Sequence, residues 1–244
     1  MLEGHGAEPI LMPLIRICPP PSWAEFDAAM NSLDQFSWMI FASANSVTST
    51  IARAKHLNLF ERFKELRIAC VGAATASALA ESGLQADLVP NSFVAESLVS
   101  EFQKRADQYH EGKHILWPKT TIGRITIKTE LEKLGWQVDI VHSYSTEGPE
   151  DPQLCAQQLL GLMREKRLQI ITLASSETAR QLDHILQIAR TEFSHENGIP
   201  SGVALAVIGP ETAKTCKQLF ARVDIEAREF SSDGLLAAIL EFAR

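Results

Sequence analysis

Three short segments of this chain recur further along it in the same order, and that repeat limits the fold more than any single motif. Phe41-Ala42-Ser43-Ala44-Asn45 resembles Leu173-Ala174-Ser175-Ser176-Glu177. Val71-Gly72-Ala73-Ala74-Thr75-Ala76 resembles Ile208-Gly209-Pro210-Glu211-Thr212-Ala213, and Glu96-Ser97-Leu98-Val99 resembles Asp233-Gly234-Leu235-Leu236. Gly72 and Gly209 lie 137 residues apart, as do Leu98 and Leu235. Shared order with shared spacing implies two copies of one unit. A chain of 244 residues has room for two small domains.

Short apolar runs alternate with helical patterns almost from end to end. Strands are predicted at 9–17, 37–43, 66–71, 86–89, 113–117, 137–144, 168–174 and 203–208, with a weaker one near 223–227. Between them, segments such as 122–134 carry helical periodicity, with Ile125, Leu131 and Leu134 on one face. Continuous apolar strands separated by helices point to parallel sheets covered on both sides, so the fold class is α/β. The alternation breaks at Cys18-Pro19-Pro20-Pro21 and at the turn-rich stretch Ser145–Pro152. These breaks divide the chain into a first domain of 1–17 plus 147–244 and a second of 18–146, with linkers near 15–21 and 143–152.

A further match aligns Leu131-Glu132-Lys133-Leu134-Gly135 and its following strand with Leu2-Glu3-Gly4-His5-Gly6 and the run through Ile17. In the central block a strand and helix, Lys113 to Glu130, precede this unit; before Leu2 there is no counterpart. The expectation is therefore a first domain short of one strand and helix, less stable or less active than a chain extended upstream.

Composition removes several function classes. A net charge of −7 and a pI near 5.5 argue against binding nucleic acid or acidic membrane by bulk electrostatics. A local pocket for an anion stays compatible with both. No apolar run approaches the roughly 18 residues that cross a bilayer, and the opening MLEGHGAEPI lacks the basic and apolar regions of a signal peptide. Cys18, Cys70, Cys155 and Cys216 form no C-x-x-C pair, which reads as reduced structural thiols in a cytoplasmic protein.

The candidate chemistry sits at turns from strand to helix, where free backbone N–H groups and the positive helix end favour anions. In open α/β sheets these turns line the crevice at the carboxyl ends of the strands. Ser43, Thr75, Ser175 with Ser176, and Thr212 occupy four such turns. Each could serve only as a helix cap, yet the recurrence in both halves favours carboxylate binding. Neither Val-Gly-x-x-Thr-Ala nor Ile-Gly-Pro-x-Thr-Ala is a phosphate loop, and G-x-G-x-x-G does not occur, so nucleotide binding is not expected. His110-Glu111-Gly112-Lys113-His114 matches H-E-x-x-H in letters. The glycine and the strand that follows suit a surface turn rather than a zinc helix, and no metal is expected. Lys119 and Arg124 stand just past a strand, at a crevice edge or on solvated surface. Tyr144 ends a strand, either as a packed aromatic or as a proton donor.

Seven segments, 38–47, 68–76, 88–98, 115–124, 141–146, 208–213 and 233–239, together resemble uroporphyrinogen-III synthases in order along the whole chain. The resemblance implies two flavodoxin-like domains joined by a two-stranded linker, with the active site in the cleft between them. It also implies a cofactor-free hydro-lyase that cyclises hydroxymethylbilane to uroporphyrinogen III, inverting ring D through an azafulvene cation and a spirocyclic intermediate. Tyr144 then corresponds to a tyrosine that helps the hydroxyl leave. Ser43, Thr75, Lys119, Arg124, Ser175, Ser176, Gly209 and Thr212 are the substrate-binding set. Lys119 stands where the family commonly has arginine, which keeps the charge and loses the planar fork. A monomer is implied. The competing reading is a catalytically lapsed relative that binds an organic anion.

Overall fold

A computed structural model describes residues 1–91, 95–104, 112–123, 125–193 and 198–243. The chain divides into two compact units, a continuous one of Ile17–Thr146 and a split one of Met1–Arg16 with Glu147–Arg244.

In the continuous unit the strands are β1 (Arg16–Cys18, which crosses into it), β2 (Trp38–Phe41), β3 (Arg67–Cys70), β4 (His114–Thr120) and β5 (Gln137–Glu147, whose last residue leaves it). The helices are α1 (Ala24–Asn31), α2 (Ala44–His56), α3 (Ala73–Glu81), α4 (Ala95–Lys104) and α5 (Thr126–Lys133). The sheet order is β1-β5-β4-β2-β3, with β2 parallel to both β3 and β4, and β4 parallel to β5. Each strand's period of two feeds two cores. Met39, Phe41, Ile68, Cys70 and Leu116 pack with Phe26, Met30, Ile51, Phe63 and Leu79 on one side. Trp38, Ile40, Ala69, Ile115 and Trp117 pack with Phe102, Leu131 and Trp136 on the other. Full burial of one large apolar side chain stabilises by about 1.5–3 kcal/mol, so these two layers hold the unit together.

The split unit contains α6 (Pro152–Arg164), β6 (Ile170–Leu173), α7 (Ser176–Phe193), β7 (Ala204–Val207), α8 (Pro210–Phe220), β8 (Ile225–Glu226) and α9 (Ser232–Phe242). Its sheet runs β6-β7-β8, parallel throughout. Leu173, Leu205 and Val207 pack under α6, α7 and α8. The opposite face is thinner, with Ala204, Ala206 and Ile225 against Leu235 and Ile239.

One interaction without a local sequence signature repeats in both units. Asp87 Oδ2 accepts the Ile68 N–H at 2.7 Å while the Asp87 N–H donates to the Ile68 carbonyl at 2.7 Å. Asp224 does the same with Leu205, at 2.7 and 3.0 Å. Both pairs span 19 residues. The pairings β2–β3, β2–β4, β4–β5, β6–β7 and β7–β8 are all parallel, as the alternation predicts.

Three expected elements differ. Of the predicted strand 9–17 only Arg16 and Ile17 join a sheet, in β1, because Pro9 and Pro13 remove backbone donors. The segment 86–89 reduces to a single bridge between Ala69 and Leu88. The helix expected over 122–134 starts at Thr126; Ile125 precedes it and is exposed, while Ile127 and Leu131 supply the buried face.

The open edge of β6 also stands out. Its counterpart β2 is buried at every residue. In β6, by contrast, Thr172 is exposed and only Leu173 is buried. A cavity of about 480 Å³ lies here, lined by Met1, Leu2 and Pro9 together with Thr172, Ala174 and Leu235.

Candidate functional site

Four of the expected site residues stand at the carboxyl ends of strands in the continuous unit. Ser43 follows β2, Thr75 follows β3, Lys119 lies at the end of β4, and Tyr144 lies near the end of β5. Ser43 is the N-cap of α2: its Oγ accepts the Ser46 N–H at 3.1 Å, while its carbonyl accepts the Ser46 hydroxyl at 2.7 Å. The Tyr144 ring is buried and its hydroxyl lies 3.1 Å from Ser43 Oγ. The ring is packed, and the hydroxyl oxygen is within hydrogen-bond reach of the start of α2.

Lys119 is 8% exposed. Its ammonium donates to the carbonyls of Thr120 and Ile122 at 2.9 Å each, and burial pushes its pKa below the ordinary lysine value. The side chain braces the 120–123 turn and is not a solvated surface charge. Thr75 is buried in the first turn of α3. Arg124 lies outside the described residues.

The remaining expected residues occupy matching positions in the split unit. Ser175 caps α7 reciprocally with Thr178: the Thr178 N–H donates to Ser175 Oγ, and the Ser175 N–H donates to Thr178 Oγ1, both at 3.1 Å. Ser176 donates to the Glu211 carbonyl at 3.1 Å and accepts from the Thr215 hydroxyl at 3.0 Å, joining α7 to α8. Thr212 is buried in the first turn of α8, as Thr75 is in α3. Gly209 precedes that turn, and a Cβ there would meet the Phe230 ring at 2.9 Å. Among the expected residues that are described, Ser43 and Tyr144 form the one direct side-chain pair that the fold assembles from distant sequence.

Of the histidine pair in H-E-x-x-H, His110 lies outside the described residues, as does Glu111. His114 opens β4, bonds Asp139 Oδ2 at 2.9 Å through Nε2, and packs on Phe36 with ring centroids 4.4 Å apart. Among the described residues no cluster of His, Cys, Asp and Glu could hold a metal ion. No disulfide joins any of the four cysteines; burial pushes the Cys70 thiol up to about 12 and the Cys216 thiol up to about 11. Among the described residues no helix is long and apolar enough to cross a membrane.

The family model described as uroporphyrinogen-III synthase HemD matches residues 1–237. The chain belongs to the uroporphyrinogen-III synthase family. It is 37% identical over 245 positions to the uroporphyrinogen-III synthase of Synechococcus elongatus, covering 100% of this chain and 89% of that one. Two solved structures share its fold. One is a mutant uroporphyrinogen III synthase of Thermus thermophilus, at TM-score 0.62 and 17% identity, covering 99% of this chain and 90% of that one. The other is the uroporphyrinogen-III synthetase of Helicobacter pylori, at TM-score 0.67 and 15% identity, covering 95% and 92%. Membership in the synthase family connects the chain to porphyrin biosynthesis and to a small-molecule substrate. Nothing favours the lapsed-relative alternative.

Proposed function

We propose that this chain is a working synthase that closes hydroxymethylbilane to uroporphyrinogen III, acting as a hydro-lyase with no metal or organic cofactor. The observation that carries the reading is the identity to the Synechococcus elongatus synthase along the whole chain. Tyr144 donates its hydroxyl proton to the departing oxygen of the substrate. The C–O bond breaks, its electron pair leaves with the oxygen as water, and the methylene becomes part of an azafulvenium cation. The substituted carbon of ring D attacks that cation to give the spirocyclic intermediate, whose rearrangement inverts the ring. The proton released when the last pyrrole regains its aromaticity returns to the Tyr144 phenolate. Overall the reaction loses one water.

The turns around Ser43 and Thr75 in one unit, and around Ser175, Ser176, Gly209 and Thr212 in the other, are proposed to hold the substrate's carboxylates. Backbone N–H groups at helix starts suit that charge. Lys119 contributes by fixing the 120–123 turn, and Arg124 is proposed as a substrate-binding cation. Catalysis then depends mostly on holding a reactive cation in the geometry that favours inversion. Cysteines outside any disulfide fit a reducing cytoplasm, and a monomer is the proposed state.

Tyr144→Phe tests the assignment. The ring packing is kept and the proton is lost, so kcat should fall by about 10²-fold, the usual contribution of a positioned acid. Wild-type turnover would remove Tyr144 from the mechanism. Wild-type activity after exhaustive EDTA dialysis is expected, and activity lost on dialysis and restored by added metal would overturn the cofactor-free reading.

A further inference from the structure

Ser43 and Tyr144 are 101 residues apart in sequence, yet their oxygens lie 3.1 Å apart. One lone pair of Ser43 Oγ is committed to the Ser46 N–H, which fixes the hydroxyl at the N-terminus of the 13-residue helix α2. The hydroxyl has one proton to donate, and Tyr144 is its side-chain neighbour. When Tyr144 gives up its proton, the phenolate oxygen needs a donor, and Ser43 O–H is held in place to be that donor. The positive end of α2 adds to the effect. This geometry gives the Ser43 hydroxyl a task of its own, apart from the backbone N–H groups of its turn, which are proposed to meet a substrate carboxylate.

We propose that Ser43 is a positioning residue for Tyr144: capped onto α2, it aims the tyrosine hydroxyl and donates to the phenolate formed when the substrate hydroxyl leaves as water. The proposal rests on Tyr144 as the proton donor. In the step, the Tyr144 proton moves to the leaving oxygen, the C–O electron pair departs with it, and the negative charge left on Tyr144 Oη is met by the Ser43 O–H. No atom of Ser43 is consumed, because its proton stays on Oγ.

Capping and donation can be separated by substitution. Ser43→Asp keeps an N-cap acceptor and has no donor for a phenolate. Ser43→Thr keeps both functions, and Ser43→Ala loses both. With hydroxymethylbilane generated in the assay, Ser43→Asp and Ser43→Ala should lower kcat about tenfold with KM moved by less than about twofold. Ser43→Thr should restore most of the rate. Melting temperature should drop for Ser43→Ala alone, which isolates the loss of the cap. In a Tyr144→Phe background the same Ser43 substitutions should change kcat by less than about twofold, because the group they serve is gone.

Full turnover in Ser43→Asp would overturn the proposal while leaving Tyr144 as donor. A rise in KM at unchanged kcat, or a Ser43 effect that persists in Tyr144→Phe, would overturn it in favour of direct substrate binding. Tyr144→Phe at the wild-type rate would overturn the tyrosine assignment and this proposal together.

Discussion

A Cβ on Gly234 would stand 2.1 Å from the backbone carbonyl oxygen of Glu229, a contact that no rotamer change relieves. The glycine lets the first turn of α9 seat under that carbonyl while its N–H donates to the Ser231 cap at 3.0 Å. Gly234→Ala should therefore destabilise the fold by about 3 kcal/mol, measurable by denaturant unfolding, whereas Gly161→Ala, with open space around it, should not. Asp224 gives a pH-dependent counterpart. Burial pushes its pKa up, but hydrogen bonds from Arg222 and the Leu205 N–H, and the charge of Arg222, more than offset this and hold it below the usual carboxylate range. A depressed folded pKa means a contribution that is present above the unfolded value, about 3.9, and lost as pH falls through the folded one. Asp224→Asn should lower the melting temperature near neutral pH, and the gap to wild type should close below about pH 4; a gap constant down to pH 3 would contradict this. Such residues were only partly legible in the sequence. The hydroxyls of Ser43 and Ser175 could be read as caps from local pattern alone. The Ser43–Tyr144 bond depends on how β4 spaces β2 from β5, and the Asp87–Ile68 and Asp224–Leu205 pairs link residues with no local signature. A lysine just past a strand suits a crevice edge or solvated surface equally, and only the fold shows the two carbonyls that hold Lys119.

At the scale of elements, β2 and β6 are the same strand of the repeat in different surroundings. Gln169 and Leu173 give their carbonyls to Ala204 and Ile208 of the β7 side, so strand alternation turns the groups of Ile170 and Thr172 toward the other edge. Trp38 and Ile40, at the matching positions, face β4. Amide exchange should accordingly be at least about 100-fold faster at Ile170 and Thr172 than at Trp38 and Ile40. Equal protection would mean that the β6 edge is covered in solution. The strands through buried cores were legible because their apolar runs are continuous, as in Trp38–Phe41 and Ala204–Val207. The run 9–17 looked equally apolar, but extension without a neighbouring strand leaves backbone groups unpaired, and its prolines accept that state. Ile125 misled in the same way: helical spacing placed it on a buried face, although the helix starts one residue later.

For the molecule as a whole, the repeat was the most informative part of the sequence. It required two similar α/β units, and each unit carries hydroxyl residues at the carboxyl ends of its strands. Reaction chemistry was not legible from that pattern alone, since caps and carboxylate-binding turns use the same residues. It became legible through the order of seven weak motifs, which the family match from residue 1 to 237 supports. The most direct test supplies freshly made hydroxymethylbilane to the purified 244-residue chain and resolves the macrocyclic products by isomer. Enrichment of the type III ring over the type I ring that closes spontaneously is the predicted result. A product mixture identical to the protein-free control would contradict it.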